Sequence, residues 1–306
     1  MSEIYLVIVV FLFVLAVFDL MVGVSNDAVN FLNSAIGAKV AKFRTIIIVA
    51  AVGVFLGATM SNGMMEVARH GIFHPAMFSM KELMFIFLAV MVSDVILLDI
   101  FNNLGLPTST TVSLVFELLG GTTAFVLLKL ANDTTGLTVG DLMNTEKALG
   151  MIMAIFVSVA IAFFFGIVLQ YISRLVFTFT YKKNLKWKIG IFGGIATTAI
   201  FYFMLFKGIK SMSFVTPEIQ EYIQSNTLTF LGICFLASTA VMQILYFLKV
   251  NVFKILVLMG TFALAMAFAG NDLVNFIGVP LAGYSSYTDY VSSGATDPST
   301  FMMSSL

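Results

Sequence analysis

The sequence predicts an all-α membrane protein, a polytopic helical bundle with inverted-topology repeats and broken or re-entrant helices. Three observations carry this prediction. The chain is 60% hydrophobic and 10% charged, whereas soluble domains carry about 25% charged residues. Its apolar residues run in stretches long enough to cross a hydrocarbon core, which takes about 20 residues of helix. One polar phrase also recurs inside such stretches, as Asn26-Asp27-Ala28-Val29-Asn30-Phe31 and as Asn271-Asp272-Leu273-Val274-Asn275-Phe276. Hydrocarbon satisfies no backbone N–H or C=O group, so the spanning elements are helices rather than open sheets.

The spans read in order as 4–24, 45–65, 83–101, 111–130, 149–173, 189–206, 228–248 and 252–270. The first is not expected to be a cleaved leader, because Met1-Ser2-Glu3 lacks a basic segment and the apolar run is too long. Segments 131–148 and 207–227 read as extracytoplasmic loops. Cys234 is the single cysteine, so no disulfide or thiolate metal framework exists. His70 and His74 share a loop without further ligands, the pattern of solvated surface histidines. Formal net charge is zero, the lipid bilayer is the evident partner, and no nucleic-acid partner is expected.

Lys and Arg collect on alternate connections. Lys39, Lys42 and Arg44 follow the first phrase; Arg174, Lys182, Lys183, Lys186 and Lys188 follow the fifth span; Lys249 and Lys254 bracket the turn before the eighth. The other connections hold Glu66, Glu82, Asp133, Asp141, Glu146, Glu218 and Glu221. The positive-inside rule makes the basic set cytoplasmic and the N-terminus external. Span one then carries its phrase inward and span eight carries its own outward. That is the inverted-repeat arrangement of secondary transporters, which bind substrate near the midplane. Residues 1–148 are expected to form the first repeat, 149–248 intervening scaffold helices, and 249–306 the start of a second, inverted repeat that looks incomplete.

Asn and Asp are expensive in hydrocarbon, so a pattern used twice points to function. Asn26, Asp27 and Asn30 share one helical face if the helix continues. Gly23 and Gly270, each just ahead of a phrase, suggest that the helix loosens there and frees backbone groups. Such hard oxygen ligands suit a small cation such as Na⁺. The plainer reading is that Asn and Asp hydrogen-bond neighbouring helices together. Between the phrases, Leu104-Gly105-Leu106-Pro107-Thr108-Ser109-Thr110-Thr111 gives a turn, a proline and four hydroxyls ahead of a helical run. Pro and Ser/Thr there are helix-start signals, and a buried helix N-terminus is an anion site. An ordinary capped turn outside the membrane is the alternative. Ser109, Ser113 and Glu117 continue it as a polar stripe at four-residue spacing.

The spans hold Asp19, Asp27, Asp94, Asp99, Glu117 and Asp272, with Lys and Arg only at their ends. A bare anion is repelled by such an interior and meets no Arg fork. It enters with cations, or against carboxyls that are protonated. A carboxylate beside the anion also selects an anion that still carries a proton, as hydrogen phosphate or arsenate does and sulfate does not.

These residues resemble the inorganic phosphate transporter (PiT) family. Its duplicated Gly-Ala-Asn-Asp-Val-Ala-Asn-Ala signature is matched by Val24-Ser25-Asn26-Asp27-Ala28-Val29-Asn30 and by Ala269-Gly270-Asn271-Asp272-Leu273-Val274-Asn275. Its Gly-Leu-Pro-x-Ser-Thr-Thr-His element is matched by Gly105 through Thr111, with Val112 in place of the histidine. The resemblance implies a symporter of phosphate with Na⁺, or with H⁺ as in some bacterial members. It implies phosphate contacts from Asn26, Asp27, Ser109, Thr110, Thr111, Asn271 and Asp272, and Na⁺ contacts from Asp27, Asn30, Asp272 and Asn275. The family's second Pro-x-Ser-Thr-Thr hairpin has no counterpart in Tyr284–Leu306, which suggests an N-terminal fragment, or a missing half supplied by another polypeptide.

The expected function is therefore cation-coupled phosphate symport across the cell membrane, with Na⁺ favoured over H⁺ because the site is rich in oxygen and lacks a midspan histidine. The alternatives are a phosphate-binding membrane receptor without flux, or a carrier of another oxyanion or of metal–phosphate. No nucleophile–base pair stands out, so no enzyme is expected. No cofactor beyond the coupling ion is implied, and a homo-oligomer is left open.

Overall fold

The computed structural model describes residues 2–59, 72–132, 136–178, 185–209, 218, 221–222 and 225–303. Glu66, His70, Asp133, Tyr181, Lys182, Lys183 and the side chain of Asn271 lie outside the described residues. Among the described residues there are ten α-helices and no strand: α1 Ser2–Gly37, α2 Phe43–Thr59, α3 Met80–Asn103, α4 Thr110–Ala131, α5 Val139–Leu142, α6 Thr145–Phe177, α7 Lys188–Ile209, α8 Thr227–Phe247, α9 Val252–Asn271 and α10 Leu273–Ser292. Over the described residues every expected span falls on a helix, except that Leu248 caps its helix; residues 60–65 of the second span lie outside the described residues. Six segments are long and apolar enough to cross a membrane, and α2 and Lys188–Met204 are apolar but shorter.

Two compact units divide the chain. One comprises Met1–Val29, Gly63–Ile155 and Asn271–Leu306; the other comprises Asn30–Asn62 and Phe156–Gly270. The chain passes between them inside the first phrase and just ahead of the second.

In the first unit α3 and α4 form an antiparallel hairpin on which α10 packs. Their shared core takes Leu12 and Ala16 from α1, Met84, Phe87 and Met91 from α3, Leu114 and Leu118 from α4, and Val279 and Ala282 from α10. The base of the hairpin is tightly capped. Ser79 and Glu82 form a reciprocal capping box at the start of α3, which satisfies two of its free N–H groups. The Met80 and Lys81 amides donate to the Phe301 and Pro298 carbonyls at 2.9 and 3.1 Å. Lys129, at the end of α4, donates to the Met77 carbonyl at 2.7 Å, pairs with Glu82 at 3.0 Å and lies over the Phe78 ring. The segment from Tyr284, read from sequence as too polar and short for a hairpin, is thus the end of α10 plus a tail that closes α3.

The second unit pairs α7 with α8, and Phe177 meets Phe192 and Phe253 edge-to-face with ring centroids 4.9 and 5.2 Å away. Within it α2 approaches α9 closely. A Cβ at Gly53 or Gly57 would strike the Phe262 or Met266 carbonyl of α9, the small-residue spacing by which membrane helices pack backbone to backbone.

One expectation about helix breaks is corrected. The helix does not loosen at Gly23, because α1 continues unbroken to Gly37. Gly23 is instead a contact point: a Cβ there would enter the Phe276 ring. The break occurs only at the second phrase, where α9 ends at Asn271 and α10 begins at Leu273. The helical run expected after the Gly-Leu-Pro element is α4, 22 residues long.

Candidate functional site

Helix α3 ends because Gly105 turns left-handed at φ +67°, the conformation in which glycine carries no steric penalty. The Leu106 amide closes back on the Phe101 carbonyl at 2.9 Å. The chain then passes through Pro107 in extended form to Ser109, whose hydroxyl caps α4 by accepting from the Val112 amide. The first N–H groups of α4 have no intrahelical acceptor, as at any helix start.

Both phrases meet this turn inside the first unit. Asn26, 5% exposed, reads the backbone of the turn with both ends of its amide: Nδ2 donates to the Leu106 carbonyl at 3.0 Å, and Oδ1 accepts from the Thr108 amide at 2.8 Å. Thr111 carries the second phrase. Its hydroxyl donates to Asp272 Oδ1 at 2.8 Å and accepts from Asn275 Nδ2 at 2.8 Å. Asp272 occupies the N-cap position of α10 but does not cap it; its carboxylate is turned to Thr111 instead. Phe276, the last residue of the second phrase, packs on Gly23, three residues ahead of the first. The two phrases thus clasp one helix N-terminus, although nearly the whole chain separates them.

The remaining expected residues sort as follows. Asp27 is buried beside Asn26, and Thr110 is buried with a hydroxyl that has no hydrogen-bond partner. Ser109 is exposed. Asn30 belongs to the second unit and is exposed. His74 is exposed, and no group of three His, Cys, Asp or Glu among the described residues has the arrangement of a metal site.

Sequence reading did not anticipate one assembly. Asp19 of α1, Asp94 of α3 and Glu117 of α4 come together around Ser113. The polar stripe on α4 was visible in the sequence. Its convergence with acids from two other helices depends on how those helices pack.

The family model for the phosphate transporter family matches residues 23–305. A solved structure described as "The sodium-dependent phosphate transporter" matches with a TM-score of 0.71 at 20% identity, covering 97% of this chain and 71% of its own. That likeness is one of fold. A search of curated proteins finds no match. With two matched Asn-Asp phrases closing on one capped helix start, and a family match over most of its length, the chain belongs to the phosphate transporter family and is not an enzyme.

Proposed function

We propose that the chain is a cation-coupled phosphate symporter of the cell membrane with Na⁺ as the coupling ion and its N-terminus outside. The carrying observation is the clasp: Asn26 on the turn backbone, Asp272 and Asn275 on Thr111. A phosphate at the start of α4 meets free N–H groups, the positive end of the helix dipole and the unpartnered Thr110 hydroxyl. Ser109 borders the same helix start. Asn26 and Thr111 are already engaged with protein groups, so they act first as positioning residues and reach phosphate only by exchanging those partners.

Asp27 follows Asn26 in the chain, Asp272 bonds Thr111, and phosphate adds further negative charge. Like charges in a poorly solvated interior repel, so cations must accompany the anion. Asp27, Asp272 and Asn275 offer the hard oxygens Na⁺ takes. The name of the similar solved structure, which specifies sodium dependence, favours Na⁺ for this chain as well.

Helix lengths permit α3 and α4 to cross the membrane, yet their shared tip meets both phrases. We read the hairpin as re-entrant, its tip at the level of the helix break. Two crossings and none leave the same parity, so the charge-based orientation is unchanged.

Phosphate uptake into proteoliposomes tests this reading, with an imposed Na⁺ gradient compared against an H⁺ gradient. Accumulation driven by Na⁺ is expected. Binding without accumulation under either gradient would support a receptor instead.

A further inference from the structure

We propose that Asp94 and Glu117, bridged by Ser113, form with the neighbouring Asp19 a proton-binding site separate from the phosphate residues. The geometry requires a positive charge there. Ser113 Oγ lies 2.6 Å from Asp94 Oδ1 and 3.0 Å from Glu117 Oε1. A hydroxyl has one proton and can donate it to only one of them. The second contact becomes a hydrogen bond when the other carboxyl holds a proton and donates it to Oγ.

Asp19 supplies an independent observation. It is fully buried, neither carboxyl oxygen has a hydrogen-bond partner, and it lies against Asp94 and Glu117. A proton shared between Asp19 and Asp94 would turn that contact into a hydrogen bond. Without protons, two buried carboxylates and the half-buried Glu117 face one another, an arrangement that desolvation and Coulomb repulsion both oppose.

Among the described residues no basic group compensates. Helix α1 has no Lys or Arg, while Lys81 and Lys129 stand at the far end of the hairpin, where Lys129 is engaged by Glu82. Glu117 is six residues beyond Thr111, and the same step along α10 from Asp272 reaches Gly278, Val279 and Pro280, which carry no charge. The ionisable groups of α10 itself, Tyr284, Tyr287, Asp289 and Tyr290, come later still. Asp99 on α3 is exposed.

The cluster lies about 10 Å from the α4 N-terminus at 1.5 Å per helical residue, on the side of the α1 N-terminus. Loading adds a proton to a carboxylate oxygen and cancels one negative charge on the helix that receives phosphate. Only this link to transport rests on the proposed function; the proton site itself does not.

Infrared spectroscopy of the purified protein, titrated with pH in H₂O and D₂O, tests the proposal, with phosphate binding measured on the same samples. At neutral pH a protonated-carboxyl C=O band is expected. Asp19→Asn and Glu117→Gln, which keep size and polarity, should each diminish it. Absence of the band at neutral pH, or a band unchanged in both variants, would overturn the proposal. Loss of phosphate binding with the band intact would instead count against the phosphate site alone.

Discussion

Thr111 is the residue on which the two halves of the site depend, because its one hydroxyl donates to Asp272 and accepts from Asn275. Thr111→Val removes a hydrogen-bond partner from the Asp272 carboxylate and from the Asn275 amide, a loss of about 1–3 kcal/mol. Phosphate affinity should fall roughly 10–100-fold, Thr111→Ser should recover most of it, and equilibrium binding of labelled phosphate reads both. An affinity unchanged in the valine variant would mean that the link has no bearing on the site. The phrases were legible in the sequence because Asn and Asp stand out in apolar surroundings. The role of their glycines was not. A glycine needed for a left-handed turn, such as Gly105, and one needed for close packing, such as Gly23, look the same in a sequence.

At the scale of elements, α1 and α10 are held together where Gly23 receives the Phe276 ring. Gly23→Val overpacks this contact and should destabilise the protein by about 1–3 kcal/mol. Adding Phe276→Ala should return part of that loss, with both effects read as thermal midpoints in detergent. The hairpin itself was legible from Gly-Leu-Pro and the run of hydroxyls, since turn and cap signals are local. The tail that closes its base was not, because the carbonyls of Pro298 and Phe301 carry no side-chain signature. That tail is shaped by Asp297, whose carboxyl is held below the usual carboxylate range by the hydroxyl and amide of Ser299. A lowered value stabilises the fold above the unfolded value, near pH 4, and the contribution is lost as pH falls through the lowered one. Hydrogen-exchange protection of the Met80 and Lys81 amides should therefore weaken in that acidic window, and protection independent of pH would contradict this role for Asp297.

For the whole molecule, the alternation of basic and acidic connections predicts orientation. In a Cys234→Ser background, Glu146→Cys should react with a membrane-impermeant maleimide on intact cells, whereas Lys42→Cys should react only after permeabilisation. The reverse pattern would invert the orientation. Sequence made the membrane class and the family legible, because composition and three separated motifs survive without coordinates. The meeting of three acids from three helices was hidden, since only tertiary packing aligns Asp19, Asp94 and Glu117. The central claim is that both phrases act on one cation-neutralised phosphate site. It is tested most directly by phosphate affinity as a function of Na⁺ concentration, for the native chain and for Asp272→Asn. The asparagine can still accept from Thr111, so the variant removes charge and leaves the clasp in place. The account predicts that Na⁺ tightens phosphate binding to the native chain and has little effect on the variant. An equal Na⁺ response in both would contradict it.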